Sequence, residues 1–125
     1  MLKNKIENSN ENVCDLKYLT DLMGNKNHLI KGILDAFLKQ VPEDLSRINE
    51  AITINDYATI KIFAHTMKSS VSIMGVNVLT PILEKMEDLA EINTDIEEIK
   101  LQNIRLTLIC NQAMEEIKKE KLKYS

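Results

Sequence analysis

Tryptophan is absent from this chain of 125 residues, and glycine, proline and aromatic residues are scarce. Glycine occurs 3 times, proline 2 times, and aromatic residues make up 4% of the sequence. The many tight turns of a β-sandwich or a β-barrel need more glycine and proline than this. The composition therefore argues against an all-β protein.

Long apolar runs and a strongly basic composition are also missing. No run approaches the roughly 20 apolar residues of a membrane-spanning helix, and residues 1–13 lack the apolar centre of a signal peptide. The net charge is −3, so no basic field attracts nucleic acid. We therefore expect a cytoplasmic protein that binds neither nucleic acid nor membranes.

The chain has 2 cysteines, Cys14 and Cys110, far apart in the sequence. They form no CxxC motif, and no histidine stands near them at metal-binding spacing. In a chain without an export signal, we expect reduced thiols that pack as small apolar groups. A disulfide between the two is the alternative.

What the sequence does contain is the composition and the period of a helical protein. Hydrophobic residues make up 44% and charged residues 28%, which argues against wholesale disorder. Residues 1–13 have no repeating apolar face and are predicted to be a flexible tail, followed by one domain over 14–125. Within that domain, apolar residues recur every three or four positions in five segments. The predicted helices cover 15–23, 27–53, 56–74, 77–90 and 94 to the lysine-rich end.

Helix-capping residues and a proline fit these predicted boundaries. Gly24 ends the first helix as a C-cap, and Asn55 can cap the third. Pro42 lies inside the second helix, where a kink is expected in preference to a break. Thr94 and Glu97 have the spacing of a capping box at the start of the last helix.

Short connections between long helices make neighbouring helices antiparallel. The predicted fold is therefore all-α: an antiparallel up-down four-helix bundle with a short extra N-terminal helix. On the last helix, a second apolar stripe consists of Leu101, Ile104 and Leu108. We expect the N-terminal helix or the second helix to cover it, with a dimer contact as the alternative.

His65 lies on the polar face of the third helix. With 100° per residue, it falls roughly 145° from the centre of the apolar face. Lys61 and Lys68 lie one turn to either side, and no carboxylate is close on the same helix. We therefore expect the neutral, nucleophilic ring to be available near pH 7, with two cations to stabilise an anion. These features suit a histidine that accepts a phosphoryl group, although most exposed histidines are only solvated side chains.

The segment AHTMKSS (64–70), with Gly75 following, resembles the signature of histidine-containing phosphotransfer (HPt) domains. That family has lysine three positions after histidine, small residues at the next two positions, and glycine ten positions after histidine. The similarity in helix order and length extends over about 15–122. One position departs from the pattern, because Ser69 stands where the family usually has glycine.

The resemblance implies a phosphorelay intermediate without enzymatic activity of its own. A receiver domain carrying an aspartyl phosphate would dock over the exposed helix, and Nε2 of His65 would attack phosphorus in line. Lys68 would clamp the phosphoryl group, and Ser69 or Ser72 would donate hydrogen bonds to it. The chain would need no cofactor, since Mg²⁺ is expected on the receiver. The expected partners are response-regulator receiver domains and a hybrid sensor histidine kinase, and the expected state is a monomer.

The surface beside the histidine is a candidate docking site for such partners. Ile62 and Ile73 lie at the edge between core and solvent, and Ala58 and Gly75 keep the surface low. Lys61 is a candidate for electrostatic steering. The competing interpretation is an ordinary core edge with a solvated charge.

Two other functions compete with the phosphorelay hypothesis. The first is an HPt-like binding module that docks a receiver or a sensor without carrying phosphate. The second is a metal-binding or haem-binding bundle, which needs inward ligands on facing helices. The sequence disfavours the second, because His65 points outward and no Glu-x-x-His motif occurs.

Overall fold

The computed structural model describes residues 12–124, which form five α-helices and one short 3₁₀ helix. No strand occurs in this range, and none of its helices is long and apolar enough to cross a membrane. The predicted all-α class is confirmed. The helices are α1 (Lys17–Met23), α2 (Asn27–Thr53), α3 (Tyr57–Ile73), α4 (Leu79–Glu91), α5 (Ile96–Lys121) and the 3₁₀ helix Leu122–Tyr124.

The helix boundaries depend on single residues, and two predicted caps are displaced by one position. Asp56, not Asn55, caps α3 by accepting a hydrogen bond from the backbone N–H of Thr59. Asp95, not Thr94, caps α5 in the same way, with the N–H of Glu98 as donor. The first turn contains one left-handed residue, Asn55, and the second contains two, Asn93 and Asp95 itself. The spacing of residues in the sequence does not show these conformations.

Pro42 does not interrupt α2, which runs as one helix from Asn27 to Thr53. The side chain of Pro42 is exposed, while Val41 and Leu45 on either side of it are buried. The helix therefore does not break at Pro42, as predicted, and the predicted kink stays a prediction. Since the helix continues, the long apolar face of α2 stays in register with the core on both sides of the proline.

The core lies between four long helices. Helix α2 contacts α3 and α5, and α4 also contacts α3 and α5, so the four helices form a closed ring of neighbours. The apolar period of the last helix predicts an inward face that begins at Ile96. Ile96 is only partly buried, and the rest of that predicted face is buried: Ile99, Asn103, Leu106, Cys110, Ala113 and Ile117. On α3 the buried residues are Ile60, Ala64, Met67 and Val71. The spacing of three and four from Ile60 through Phe63 to Met67 predicts that Phe63 also faces the core. Phe63 is only half-buried, however, with the Arg47 guanidinium 5.9 Å from its ring centroid.

Two polar side chains are buried between α2 and α5. Asp44 is 2% exposed and accepts a hydrogen bond from Gln40 Nε2 at 3.0 Å. Burial raises the pKa of the Asp44 carboxyl above its ordinary value. Asn103 donates through Nδ2 to Asn49 Oδ1 at 2.6 Å, and its own Oδ1 has no partner among residues 12–124.

Cys14 and Cys110 are free thiols, as the composition predicts, and the alternative of a disulfide is not what the structure shows. Burial raises the pKa of each thiol to about 12. Because the thiolate is the reactive form, both groups behave as small apolar side chains at neutral pH.

We predicted that another helix covers the second apolar stripe of α5, and for residues 12–124 this prediction is wrong. Leu101, Ile104 and Leu108 are 57%, 58% and 66% exposed. Helix α5 packs on α2 and α4 through its other face, and α1 contacts α2 instead.

The predicted flexible segment 1–13 falls largely outside the described residues. Its last residue, Val13, donates a backbone hydrogen bond to Glu116 on α5.

Candidate functional site

His65 lies in the middle of α3 with its ring in solvent. Its side chain is 68% exposed, whereas its neighbours Ala64 and Met67 are fully buried. The orientation follows from the helical period, since the buried residues fix which side of α3 faces the core. The outward placement of His65 agrees with the sequence pattern.

A carboxylate from the next helix contacts the ring, and the sequence analysis missed it. Glu87 on α4 places Oε2 2.8 Å from His65 Nδ1, and its other oxygen, Oε1, accepts from Lys68 Nζ at 2.7 Å. Its side chain is only 17% exposed. The hydrogen bond from Lys68, followed by the one from His65, holds the pKa of Glu87 below its ordinary value. Glu87 is therefore ionised at neutral pH.

The expectation that no carboxylate stands near the ring holds for α3 but is wrong for the site. The sequence did contain a signal for Glu87. Leu83, Met86 and Ala90 face the core from α4, and this places Glu87 on the flank of that helix. The period of one helix does not show which neighbouring helix this flank contacts. It also does not show which residues lie opposite each other, because that depends on how the two helices are aligned.

The contact with Glu87 determines which ring nitrogen is free. An ionised carboxylate only accepts hydrogen bonds, so Nδ1 must be the donor and must carry the proton of the neutral ring. The lone pair then resides on Nε2, on the far edge of the ring from Glu87. The geometry therefore leaves Nε2 as the nucleophilic atom, facing solvent.

Both lysines that flank His65 are already paired with α4. Lys68 is 24% exposed and bonded to Glu87, and Lys61 forms an ion pair with Glu91. Each pairing raises the pKa of the lysine above its ordinary value, mainly through the hydrogen bond from the ammonium group. Neither lysine is a free cation in the resting protein. Any anion that binds Lys68 must therefore compete with Glu87.

An open groove lies between the C-terminal half of α3, from Lys68 onward, and the N-terminal segment. Ser69 and Ser72 have exposed side chains and lie in it beside Lys68. The opposite wall comes from a part of the chain that the sequence analysis did not assign to the site, namely Asp15 and Tyr18. The full lining is Asp15, Tyr18, Lys68, Ser69, Ser72, Ile73, Gly75 and Asn77.

The predicted docking residues are not equally placed. Ile62 is 59% and Ile73 38% exposed, and Ala58 is also exposed. Gly75, in contrast, is buried at φ 67°, and a Cβ there would lie 1.9 Å from the carbonyl oxygen of Asp15. The expectation that Gly75 keeps an exposed surface low is therefore corrected: glycine is required because another backbone segment packs directly on it.

Within residues 12–124, no cluster of three or more His, Cys, Asp or Glu side chains has the arrangement of a metal site. The site consists of one exposed histidine, the carboxylate behind it, one paired lysine and two serines. Such a set provides a nucleophile with a fixed tautomer and groups that can bind an anion. It defines a protein whose surface histidine is arranged to carry a charged group.

Comparisons with known proteins agree with this description. The family model of the Hpt domain matches residues 32–120. The chain is also similar to the crystal structure of histidine-containing phosphotransfer protein B (HptB) from Pseudomonas aeruginosa PAO1. The TM-score is 0.82 and the identity 20%, over 90% of this chain and 96% of that chain. At this identity the structural likeness shows the fold alone. No curated protein sequence matches the chain.

Because the matched residues cover well over half of the sequence, the chain belongs to the Hpt domain family. Its fold is the all-α Hpt-like fold, and its role is histidine phosphotransfer in a two-component phosphorelay. The resemblance carried by residues 64–75 is thereby confirmed at the level of the family.

Proposed function

We propose that His65 accepts a phosphoryl group from the aspartyl phosphate of one receiver domain and passes it to another. The observation that supports this most is the pairing of His65 Nδ1 with Glu87 on an exposed ring, because in the neutral ring it places the proton on Nδ1 and the lone pair on Nε2. The bundle that presents this ring is proposed to be an up-down four-helix bundle acting as a monomer. A hybrid sensor histidine kinase is the proposed source of the phosphate.

The transfer is a displacement at phosphorus. Nε2 donates its lone pair to form the N–P bond, the acyl P–O bond breaks, and the carboxylate of the donor aspartate leaves with the electron pair. The ring then bears a substituent on Nε2 and a proton on Nδ1, so it carries a positive charge. Glu87, 2.8 Å from Nδ1, stabilises this charge as it develops or accepts the proton. The receiver would supply Mg²⁺, which would offset negative charge on the phosphoryl oxygens.

Lys68 serves the phosphoryl group in this proposal. Its ammonium group lies one helical turn from the ring and is partly exposed. As negative charge arrives at Nε2, the ammonium group exchanges its contact with Glu87 for the phosphoryl oxygens. The hydroxyl groups of Ser69 and Ser72 lie on the same side of α3 and can donate to the same oxygens.

The protein is proposed to have no kinase or hydrolase activity of its own. The reaction runs in either direction, because phosphohistidine and aspartyl phosphate are both high-energy linkages. The net direction then depends on which receiver is phosphorylated. Docking of that receiver is proposed over Ala58, Lys61, Ile62 and Ile73, which lie on α3 around the histidine.

Transfer from labelled receiver domains tests the proposal. Receivers from the same organism, phosphorylated with ³²P on aspartate, are mixed with this protein, and we expect acid-labile, alkali-stable label on it. The His65→Gln variant should take up no label. The matched control is His28→Gln, which removes the other exposed histidine, at the start of α2, and should be labelled like the wild type. Label on His65→Gln, or binding of receivers without any label on the wild type, would refute the carrier role.

A further inference from the structure

A single carboxylate ties the N-terminal segment to the far helix of the bundle. Glu116 on α5 accepts the backbone N–H of Val13 through Oε2 at 2.8 Å and that of Cys14 through Oε1 at 2.9 Å. Gln112, one turn earlier, donates to Glu116 Oε2 at 3.1 Å. These contacts join parts of the chain more than 100 residues apart, so they fix the place of the segment in the fold.

The same segment is held at its other end by the turn after α3. The N–H of Asp15 donates to the carbonyl oxygen of Met74 at 3.2 Å. The Asp15 carbonyl packs on Gly75 so closely that a Cβ at that position would lie 1.9 Å from its oxygen. We call residues 12–16 the strap. It spans from α5 to the C-terminal end of α3, the helix that carries His65.

The strap places α1 beside the phosphotransfer site. Helix α1 begins at Lys17, directly after the strap, and Asp15 and Tyr18 form one wall of the groove whose other wall includes Lys68 and Ser69. Tyr18 is 60% exposed, so it offers its ring to a partner rather than to the core. Displacement of the strap would remove this wall while leaving His65 and Glu87 in place.

We propose that Glu116 is a positioning residue for partner docking: through the strap it holds α1 against the groove that begins at Lys68, one helical turn from His65. The inference rests on the proposed function, because it assumes that a receiver domain docked over α3 extends past Ile73 into this groove, which Ile73 helps to line. Glu116 has two oxygens that each accept one of two consecutive amides, which a neutral or shorter side chain does not reproduce. It acts through the strap and touches no reacting atom.

The variant Glu116→Ala tests the proposal against Glu115→Ala. Glu115 is the adjacent residue, exposed and paired with Lys118, and the two variants remove the same charge from the same helix. In Glu116→Ala we expect hydrogen exchange at Val13 and Cys14 to become about tenfold faster or more. We expect the dissociation constant for a receiver, and the KM for transfer from a phosphorylated receiver, to rise about threefold to tenfold. The maximal rate of that transfer, kcat, should stay within about twofold of the wild type. Glu115→Ala should change none of these quantities.

Two further variants separate positioning from general stability. Glu116→Gln keeps one acceptor oxygen and should restore part of the affinity. Gly75→Ala pushes the strap away at its other end, so it should raise KM in the same way without touching Glu116. Faster exchange in the strap with unchanged KM and affinity would overturn the proposal, as would an equal effect of Glu115→Ala. Absence of label on wild-type His65 would refute the proposed function, and the binding and exchange measurements would then still decide the role of Glu116.

Discussion

At the scale of single residues, the chemistry of the site depends on Glu87 being shared between two donors. One oxygen pairs with Nδ1 of His65, and the other accepts a hydrogen bond from Lys68. The histidine and the lysine are three positions apart on one helix, so the sequence shows them together. The carboxylate is 22 positions from the histidine, and only the packing of α4 on α3 brings it there.

Replacing Glu87 separates its two contributions. Glu87→Ala removes the acceptor of Nδ1–H, so both tautomers become populated and we expect transfer to slow by roughly 10-fold to 100-fold. Glu87→Gln keeps a carbonyl acceptor and should lie between this variant and the wild type. Single-turnover transfer from a phosphorylated receiver measures the rates. Asp88→Ala, one residue along α4, is the control; a wild-type rate for Glu87→Ala would contradict the assignment.

Removing the ammonium group of Lys68 should slow transfer without unfolding the helix. Lys68→Ala deletes the charge that is proposed to stabilise the phosphoryl oxygens, and we expect a loss of about tenfold or more in the transfer rate. The helical circular dichroism signal should stay unchanged, because the side chain lies off the core. Lys100→Ala on α5 removes a distant lysine for comparison. If Lys68→Ala transferred as fast as this control, the clamp role would be wrong.

Asp44 makes stability depend on pH. Its pKa is raised by burial, so the folded state binds a proton more tightly than the unfolded state. The free energy of unfolding should therefore increase as pH falls from neutral through the raised pKa. Asp44→Asn should be more stable than the wild type at pH 7, by on the order of 1 kcal/mol, and should lose this pH dependence. Urea denaturation at several pH values measures both effects.

The variant Asp35→Asn serves as a comparison for Asp44→Asn, because the pKa of Asp35 is shifted in the opposite direction from that of Asp44. Asp35 pairs with Lys121, and the hydrogen bond from that lysine lowers its pKa. The stabilising contribution of Asp35 is present above its ordinary pKa and is lost as pH falls through the lowered value. If the free energies of unfolding of Asp44→Asn and of the wild type changed equally with pH, the pKa of the Asp44 carboxyl would be the same in the folded and unfolded states.

At the scale of the helices, the apolar period predicted the elements well and their first residues less well. The inward face of α5 follows from residues three and four apart, which is local information. The start of α5 depends on Asp95, which both adopts a left-handed conformation and caps the helix. Thr94 and Asp95 are both good capping residues, so their spacing from the following glutamates allowed either choice.

The cap at Asp95 can be tested by removing its side chain. Asp95→Ala loses the hydrogen bond from Glu98 N–H and also places alanine at φ 57°, so we expect a destabilisation of about 1 kcal/mol or more. Asp95→Asn keeps an acceptor and tolerates the left-handed conformation, so it should cost less. Thermal unfolding of the two variants gives the comparison. A larger effect of Thr94→Ala than of Asp95→Ala would restore Thr94 as the cap.

At the scale of the whole molecule, the sequence determined the helical class, the outward histidine and the family, because these depend on period and on one short motif. It did not show Glu87, Tyr18 or the strap. Their positions depend on the alignment between helices and on contacts such as that of Val13 with Glu116, which are distant in sequence. The exposed stripe at Leu101, Ile104 and Leu108 was mispredicted for the same reason, since cover requires a particular neighbour.

The central claim is that Glu87 keeps the proton on Nδ1 of His65 so that Nε2 carries the phosphoryl group. Long-range ¹H–¹⁵N NMR of the imidazole ring, before and after transfer from a phosphorylated receiver, tests this most directly. We predict a neutral ring protonated at Nδ1 before transfer and a phosphorus-coupled Nε2 afterwards. A resting ring protonated at Nε2, or phosphate bound to Nδ1 or to another residue, would contradict the account.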